Sequence, residues 1–301
     1  MRVSLTRLTT RLLVLVPFAA LLYTPSPVLA TGFAPSLGAA STFAALAGGP
    51  AAGALTCTTS TVTGDVGVVL PGTFTNTGPC SITGTVNPNA TAAYADFLSA
   101  YDTLHFNTSC DQTLTGTLAG VTLPPGVYCF PAAATLTGTL TLNGPADGVW
   151  IFKIGTGGTG ALTGTSFSVV MAGAAAGTPC PNVYWWVAQA ATLTSSNFLG
   201  TILAGADITV TGGTFIDGEA LAGGAGTTSL PTGAVTVTNS AMIACPAAGG
   251  NVVHIKVKCN QGVGNGPEGC DPGNSNNHNP SNDEPGVTTP GGTPGNPGRK
   301  P

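Results

Sequence analysis

The stretch ATLTSSNFLGTILAGADITVTGGTFIDGEALA, residues 191–222, decides the fold. Gly200-Thr-Ile-Leu-Ala204 aligns with Gly218-Glu-Ala-Leu-Ala222 at a shift of eighteen residues. Thr192-Leu-Thr194 aligns with Thr209-Val-Thr211 at a shift of seventeen. Short strands of this kind, separated by glycines and repeated at near-equal intervals, mark a β-solenoid. Each coil there buries its apolar side only by stacking on the next. A β-sandwich also has many short strands, but it does not demand coils of equal length.

The same threonine alternation extends in both directions. Thr135-Leu-Thr-Gly-Thr-Leu-Thr-Leu142 reads as a strand with threonine on one side, and Thr236-Val-Thr238 repeats the motif. More apolar strands are expected at Val149–Ile154, Ser168–Met171, Val183–Val187, Phe198–Ala204 and Ile216–Ala222. One helix interrupts the pattern. From Ala92 to Leu104, Tyr94, Phe97, Leu98, Tyr101 and Leu104 recur at steps of three and four, an apolar stripe that must lie against another surface.

Composition agrees with a turn-rich, strand-rich chain. Of 301 residues, 44 are glycine and 24 proline, while only 7% are charged. Disordered polyampholytes and coiled coils need far more charge. The glycines lack the three-residue period of collagen.

The ends of the chain differ from its middle. Arg2, Arg7 and Arg11 precede an apolar run from Leu12 to Leu22, and Val28-Leu-Ala30 offers small residues before a cleavage point. Residues 1–30 therefore read as a secretory signal, and the run is too short for a membrane span. The folded body is expected over 31–246, exported and without a transmembrane segment. Residues 247–301 are rich in Gly, Pro and Asn and are expected to be mostly disordered, as a spacer or envelope attachment.

The eight cysteines all follow the signal, and an even count in an oxidising compartment reads as disulfides. Proximity suggests Cys57–Cys80, Cys110–Cys129, Cys180–Cys245 and Cys259–Cys270 among the many pairings possible. No metal site is expected, because His105, His254 and His278 are isolated.

Between Thr31 and Pro246 eight acids face a single base, Lys153. That excludes the basic footprint of a nucleic-acid binder. It also removes the cationic groove with which a β-solenoid enzyme would hold an anionic polysaccharide. The only close carboxylate pair is Asp217 and Glu219, read as alternate residues on one strand and as a solvated strand edge. No catalytic set accompanies it, so no enzyme and no cofactor is expected.

Several pieces, in order, resemble a known family, the secreted ice-binding proteins of the DUF3494 type. They are Leu37–Ala47, Thr61–Gly67, the helix at Tyr94–Leu104, Leu123–Tyr128, Leu136–Leu142, Val149–Gly155, Asn182–Val187 and the coils from Ala191 to Ile243. The resemblance implies a right-handed, discontinuous parallel β-helix of three-faced coils, with one long α-helix packed alongside. It also implies ice binding on a flat exposed face, serving freeze protection or attachment of a cell to ice. The cysteine-bearing segment from Cys57 to Cys80 is expected to lie outside the common core. The coil that in this family often reads Gly-Arg-Leu-Leu-Ala is Gly218-Glu-Ala-Leu-Ala222 here.

Physical chemistry gives that implication its own footing. Outward threonines on one strand repeat at about 6.7 Å and stacked strands at about 4.8 Å, both near water-oxygen repeats on ice. Each threonine presents a methyl and a hydroxyl on a stiff β-branched carbon. The expected ice-binding residues are Thr135, Thr137, Thr139, Thr141, Thr192, Thr194, Thr209, Thr211, Thr236 and Thr238, with ice or structured water as partner. A non-enzymatic, adhesin-like surface protein is the alternative.

Overall fold

The computed structural model describes residues 32–49, 53–106, 109–224 and 233–245. The expected signal, the expected tail and the Cys259–Cys270 pair lie outside these residues.

All the described strand pairings are parallel, and the chain winds as a three-faced β-helix. The first face stacks nine strands in the order Val86–Asn87, Asp65–Val68, Phe43–Ala47, Ala220–Ala222, Thr201–Ala204, Asn182–Val187, Val149–Ile154, Gly126–Phe130 and Gln112–Thr113. The second and third faces belong to one hydrogen-bonded sheet. Two long strands, Ala134–Gly144 and Leu162–Gly173, bend through the corner between them.

Stack order is not chain order. The N-terminal strand Phe43–Ala47 sits between Asp65–Val68 and the much later Ala220–Ala222. The second coil then ends the stack, and the chain must travel to the opposite end to resume at Gln112. The helix α1, Thr91–Phe106, makes most of that journey. Its 16 residues cover about 24 Å. Eight strand spacings measure about 38 Å, so loops at either end supply the rest.

The inner strands of the first face are buried on both sides, which explains runs such as Val149-Trp-Ile-Phe-Lys-Ile154 and Asn182-Val-Tyr-Trp-Trp-Val187. Trp150, Phe152, Trp185, Phe167, Phe198 and Phe215 fill the interior of the coils. Their rings follow the stacking of the strands, with Phe152 on Trp185 at 3.9 Å and Phe198 on Phe215 at 5.4 Å between centroids. A second apolar layer lies between α1 and the outside of the first face. Phe97, Tyr101 and Leu104 of the helix meet Leu46, Trp186, Leu203 and Leu221 there.

Polar contacts orient the helix on this layer. The Tyr94 hydroxyl donates to the Gly223 carbonyl at 2.7 Å. The Asp96 carboxylate accepts the Ala39 N–H at 2.7 Å, tying down the 3₁₀ turn Gly38–Thr42. The buried Lys153 Nζ donates to the His105 carbonyl at 3.0 Å, placing a cation at the helix C-terminus, where the macrodipole favours it. Burial holds the Lys153 amine below its ordinary range.

Three of the four expected disulfides lie among the described residues and are formed: Cys57–Cys80, Cys110–Cys129 and Cys180–Cys245. The segment Cys57–Cys80 is corrected, since it runs through one full coil of the β-helix and contributes strands to all three faces. The expected strands Phe198–Ala204 and Ile216–Ala222 are each two. Gly200, at φ +99, and Asp217, at φ +50, turn the chain from the third face to the first.

Candidate functional site

The second face is built from one motif used seven times. Phe74–Thr77, Leu55–Thr58, Val235–Thr238, Ile208–Thr211, Ala191–Thr194, Leu162–Thr165 and Ala134–Thr137 stack in that order. In each, the second and fourth residues are threonine. Six of the seven bury their first and third residues as the coil interior; in the end strand Phe74–Thr77 the first is half-buried and Asn76 is exposed.

Register pairing turns the motif into two columns. The first column runs Thr75, Thr56, Thr236, Thr209, Thr192, Thr163 and Thr135, each the Cα partner of the next. The second runs Thr77, Thr58, Thr238, Thr211, Thr194 and Thr165 in the same way. Thr137 continues it at the point where the pairing slips, between Leu136 and Gly138. The columns stand about 6.7 Å apart and the rungs about 4.8 Å apart, so the array is ~29 Å long. No strand of the second or third face among the described residues contains a charged residue.

Backbone geometry holds the edge of this array. Directly after the second threonine of every rung the chain enters the left-handed region, at Gly78, Thr59, Asn239, Gly212, Ser195, Ser166 and Gly138, with φ between 47° and 78°. That turn carries each coil onto its third face. A buried serine follows in three coils. Ser60, Ser240 and Ser196 donate their hydroxyls to the carbonyls of Thr58, Thr238 and Thr194 at 2.7, 2.8 and 3.0 Å. All three also accept from a neighbouring coil, Ser240 Oγ from the Gly213 N–H at 3.4 Å. The Ser240 N–H reaches Ser60 Oγ at 3.1 Å, and the Phe167 N–H reaches Ser196 Oγ at 3.2 Å. Corner and ladder are therefore one hydrogen-bonded unit.

Eight of the ten expected threonines lie on this array. Thr139 and Thr141 do not. Gly138 at φ +70 turns the strand, and the two residues pair with Ser168 and Val170 on the third face. Six ladder residues were missed by reading the sequence: Thr56, Thr58, Thr75, Thr77, Thr163 and Thr165. Leu55-Thr-Cys-Thr58, Phe74-Thr-Asn-Thr77 and Leu162-Thr-Gly-Thr165 carry the same spacing, which was the available signal.

The third face is less uniform. Its outward positions mix Thr61, Thr63 and Asn197 with the exposed or half-exposed Val170, Leu199 and Ile243. The carboxylate pair is corrected as well. Glu219 is 2% exposed and accepts the Thr201 hydroxyl on the helix side of the first face, while Asp217 sits in the preceding turn. Burial pushes the Glu219 carboxyl up to about 7, against a smaller lowering from Thr201. Among the described residues no group of acids, cysteines and histidines could hold a metal ion. No described helix is long and apolar enough to cross a membrane.

A parallel β-helix with a helix along one face and an ordered threonine array on another defines a class of β-solenoid proteins. Within it, the Ice-binding-like family model matches residues 31–241, and the chain belongs to that family. Curated relatives include an ice-binding protein of Nostoc sp. (strain HG1), 37% identical over 62% of this chain and 66% of its own length. Another, from Colwellia sp., is 33% identical over 43% of this chain and 50% of its own length. The chain thus spans half to two thirds of the length of these relatives. Among solved structures, an ice-binding protein from the Antarctic ascomycete Antarctomyces psychrotrophicus matches at 30% identity and TM-score 0.56, over 70% of this chain and 98% of its own. One from an Antarctic biological consortium matches at 29% and 0.59, over 73% and 96%.

Proposed function

We propose that the protein binds ice through the two threonine columns of its second face. The observation that carries this reading is the register. Threonines from seven coils, two of them distant in sequence from the rest, fall into line on one uncharged face. Hydroxyls there can join an ordered water layer while the methyls between them restrict its rearrangement. Fixed χ1 angles keep the array in place before contact, so little conformational entropy is lost on binding. The family membership and the names of the relatives point the same way.

The reading is non-enzymatic, and it places the protein outside the cell. Three disulfides belong to an oxidising compartment, and residues 1–30 have the pattern of an export signal. Freeze protection and retention of a cell at ice are both served by such a surface.

Thermal hysteresis and inhibition of ice recrystallisation test the assignment. The purified protein is expected to show both. Thr194→Tyr and Thr211→Tyr, each placing a large ring over the array, are expected to abolish most of the activity with an unchanged melting temperature. An inactive unmutated protein, or fully active tyrosine variants, would overturn the reading.

A further inference from the structure

The turn that leads from the end of the stack into α1 carries the triplet Asn89-Ala90-Thr91. We propose that Asn89 is an acceptor for an N-linked oligosaccharide, placed where the glycan leaves the threonine array uncovered. The triplet is the acceptor pattern for such transfer, with a residue other than proline in the middle. Its geometry here is more specific than the pattern. Asn89 is exposed, and the Thr91 hydroxyl donates to its Oδ1 at 2.6 Å. The two functional side chains of the triplet therefore point to the same side. The middle residue anchors the turn from beneath. Ala90 is buried and its N–H donates to the Val68 carbonyl at 2.9 Å, while the Asn89 N–H donates to Asn87 Oδ1 at 2.9 Å. Ordering this turn leaves the Asn89 residue exposed.

The transfer needs an oligosaccharide linked to a polyprenyl diphosphate. The bond from Asn89 Nδ2 to the anomeric carbon forms as the bond from that carbon to the diphosphate oxygen breaks. The diphosphate leaves with the electron pair, and the amide loses one proton to the transferase. The Thr91 hydroxyl on Oδ1 polarises the amide toward that loss.

Position gives the site its use. Asn89 lies between the outermost strand of the first face, Val86–Asn87, and the helix on that face. The threonine columns lie on another face. A bulky, hydrated glycan here adds solubility to a surface with almost no charge without covering the array. This second half rests on the ice-binding reading.

Secretion of the full chain from a eukaryotic host tests both halves. Peptide N-glycosidase in heavy-oxygen water converts a glycosylated asparagine into labelled aspartate, which peptide mass spectrometry reads. The label is expected at Asn89 in the native sequence and in Asn107→Gln, which removes the other acceptor triplet, Asn107-Thr108-Ser109. It is expected to be lost in Asn89→Gln and in Thr91→Ala. Recovery of Asn89 unmodified from folded, secreted protein would overturn the assignment. Recrystallisation inhibition is expected to be the same before and after glycan removal, and a gain on removal would overturn the placement. Inactivity of both forms would count against the ice-binding reading alone, since the label decides the acceptor independently.

Discussion

At the scale of single residues, the ladder depends on side chains that its own sequence pattern does not show. Seven left-handed turns close the rungs, yet only Gly78, Gly212 and Gly138 suit that conformation without cost. Thr59 at φ +47 is β-branched and the least suited of the other four. Thr59→Gly is expected to raise stability by about 0.5–1 kcal/mol, the left-handed penalty of about 1–2 kcal/mol less glycine's added chain entropy. Calorimetric melting checks this, and a lower melting temperature would refute it. Glu219 sets the response to pH. Its folded carboxyl titrates at about 7, above the ordinary 4.5. The raised value means the neutral acid is favoured by the fold, so its stabilisation is complete below about pH 4.5 and is lost as pH rises through 7. The loss amounts to about 3 kcal/mol in alkaline solution. Glu219→Gln is expected to flatten the melting temperature between pH 5 and 9, which differential scanning calorimetry reads directly. The reading of this residue from sequence failed for a local reason. Asp217 leaves the strand at φ +50, so the two acids do not alternate along one strand at all.

At the scale of elements, the helix and the strands were legible because their periods differ. Tyr94, Phe97, Leu98, Tyr101 and Leu104 mark the covered side of α1, and all five lie buried or half-buried on the first face. Phe97→Ala empties the centre of that layer and is expected to cost about 3–5 kcal/mol, as large-to-small changes at fully buried aromatic positions do. Denaturant titration checks the loss. Ice activity per folded molecule should survive it, because the helix and the array occupy different faces. Corners were less legible than strands. Thr135 to Thr141 alternates without a break in sequence, and only the positive φ of Gly138 assigns its two halves to different faces. Coil length concealed the rungs that were missed. The rungs at Ala191 and Ile208 are seventeen residues apart, but the missed rung at Leu162 stands twenty-nine residues before Ala191 because a longer coil intervenes.

At the scale of the whole molecule, the array is continuous only because an early strand and a late strand of the described residues meet. The rung Leu55–Thr58 pairs with Val235–Thr238, some 180 residues away, and the Ser240 N–H to Ser60 Oγ bond crosses the same seam. Nothing in residues 43–63 announces that they belong beside residues 220–243. Stack order is decided by shape, through the helix that carries the chain from one end to the other. Such distant pairing closes a large loop before it gains any contact energy, so the seam should form late in folding. It also makes the extent of the ice-contacting surface testable. If seven rungs act as one lattice, Thr58→Tyr should reduce recrystallisation inhibition as severely as Thr211→Tyr, although the two residues stand 153 positions apart in sequence. If only the sequence-local coils contact ice, Thr58→Tyr should leave activity intact. Thr139→Tyr supplies the control, since that residue faces away across the corner. A retained response in Thr58→Tyr together with a loss in Thr139→Tyr would move the contact surface to the third face. Loss in Thr58→Tyr and Thr211→Tyr with full activity in Thr139→Tyr is the outcome that a single plane of fourteen threonines requires.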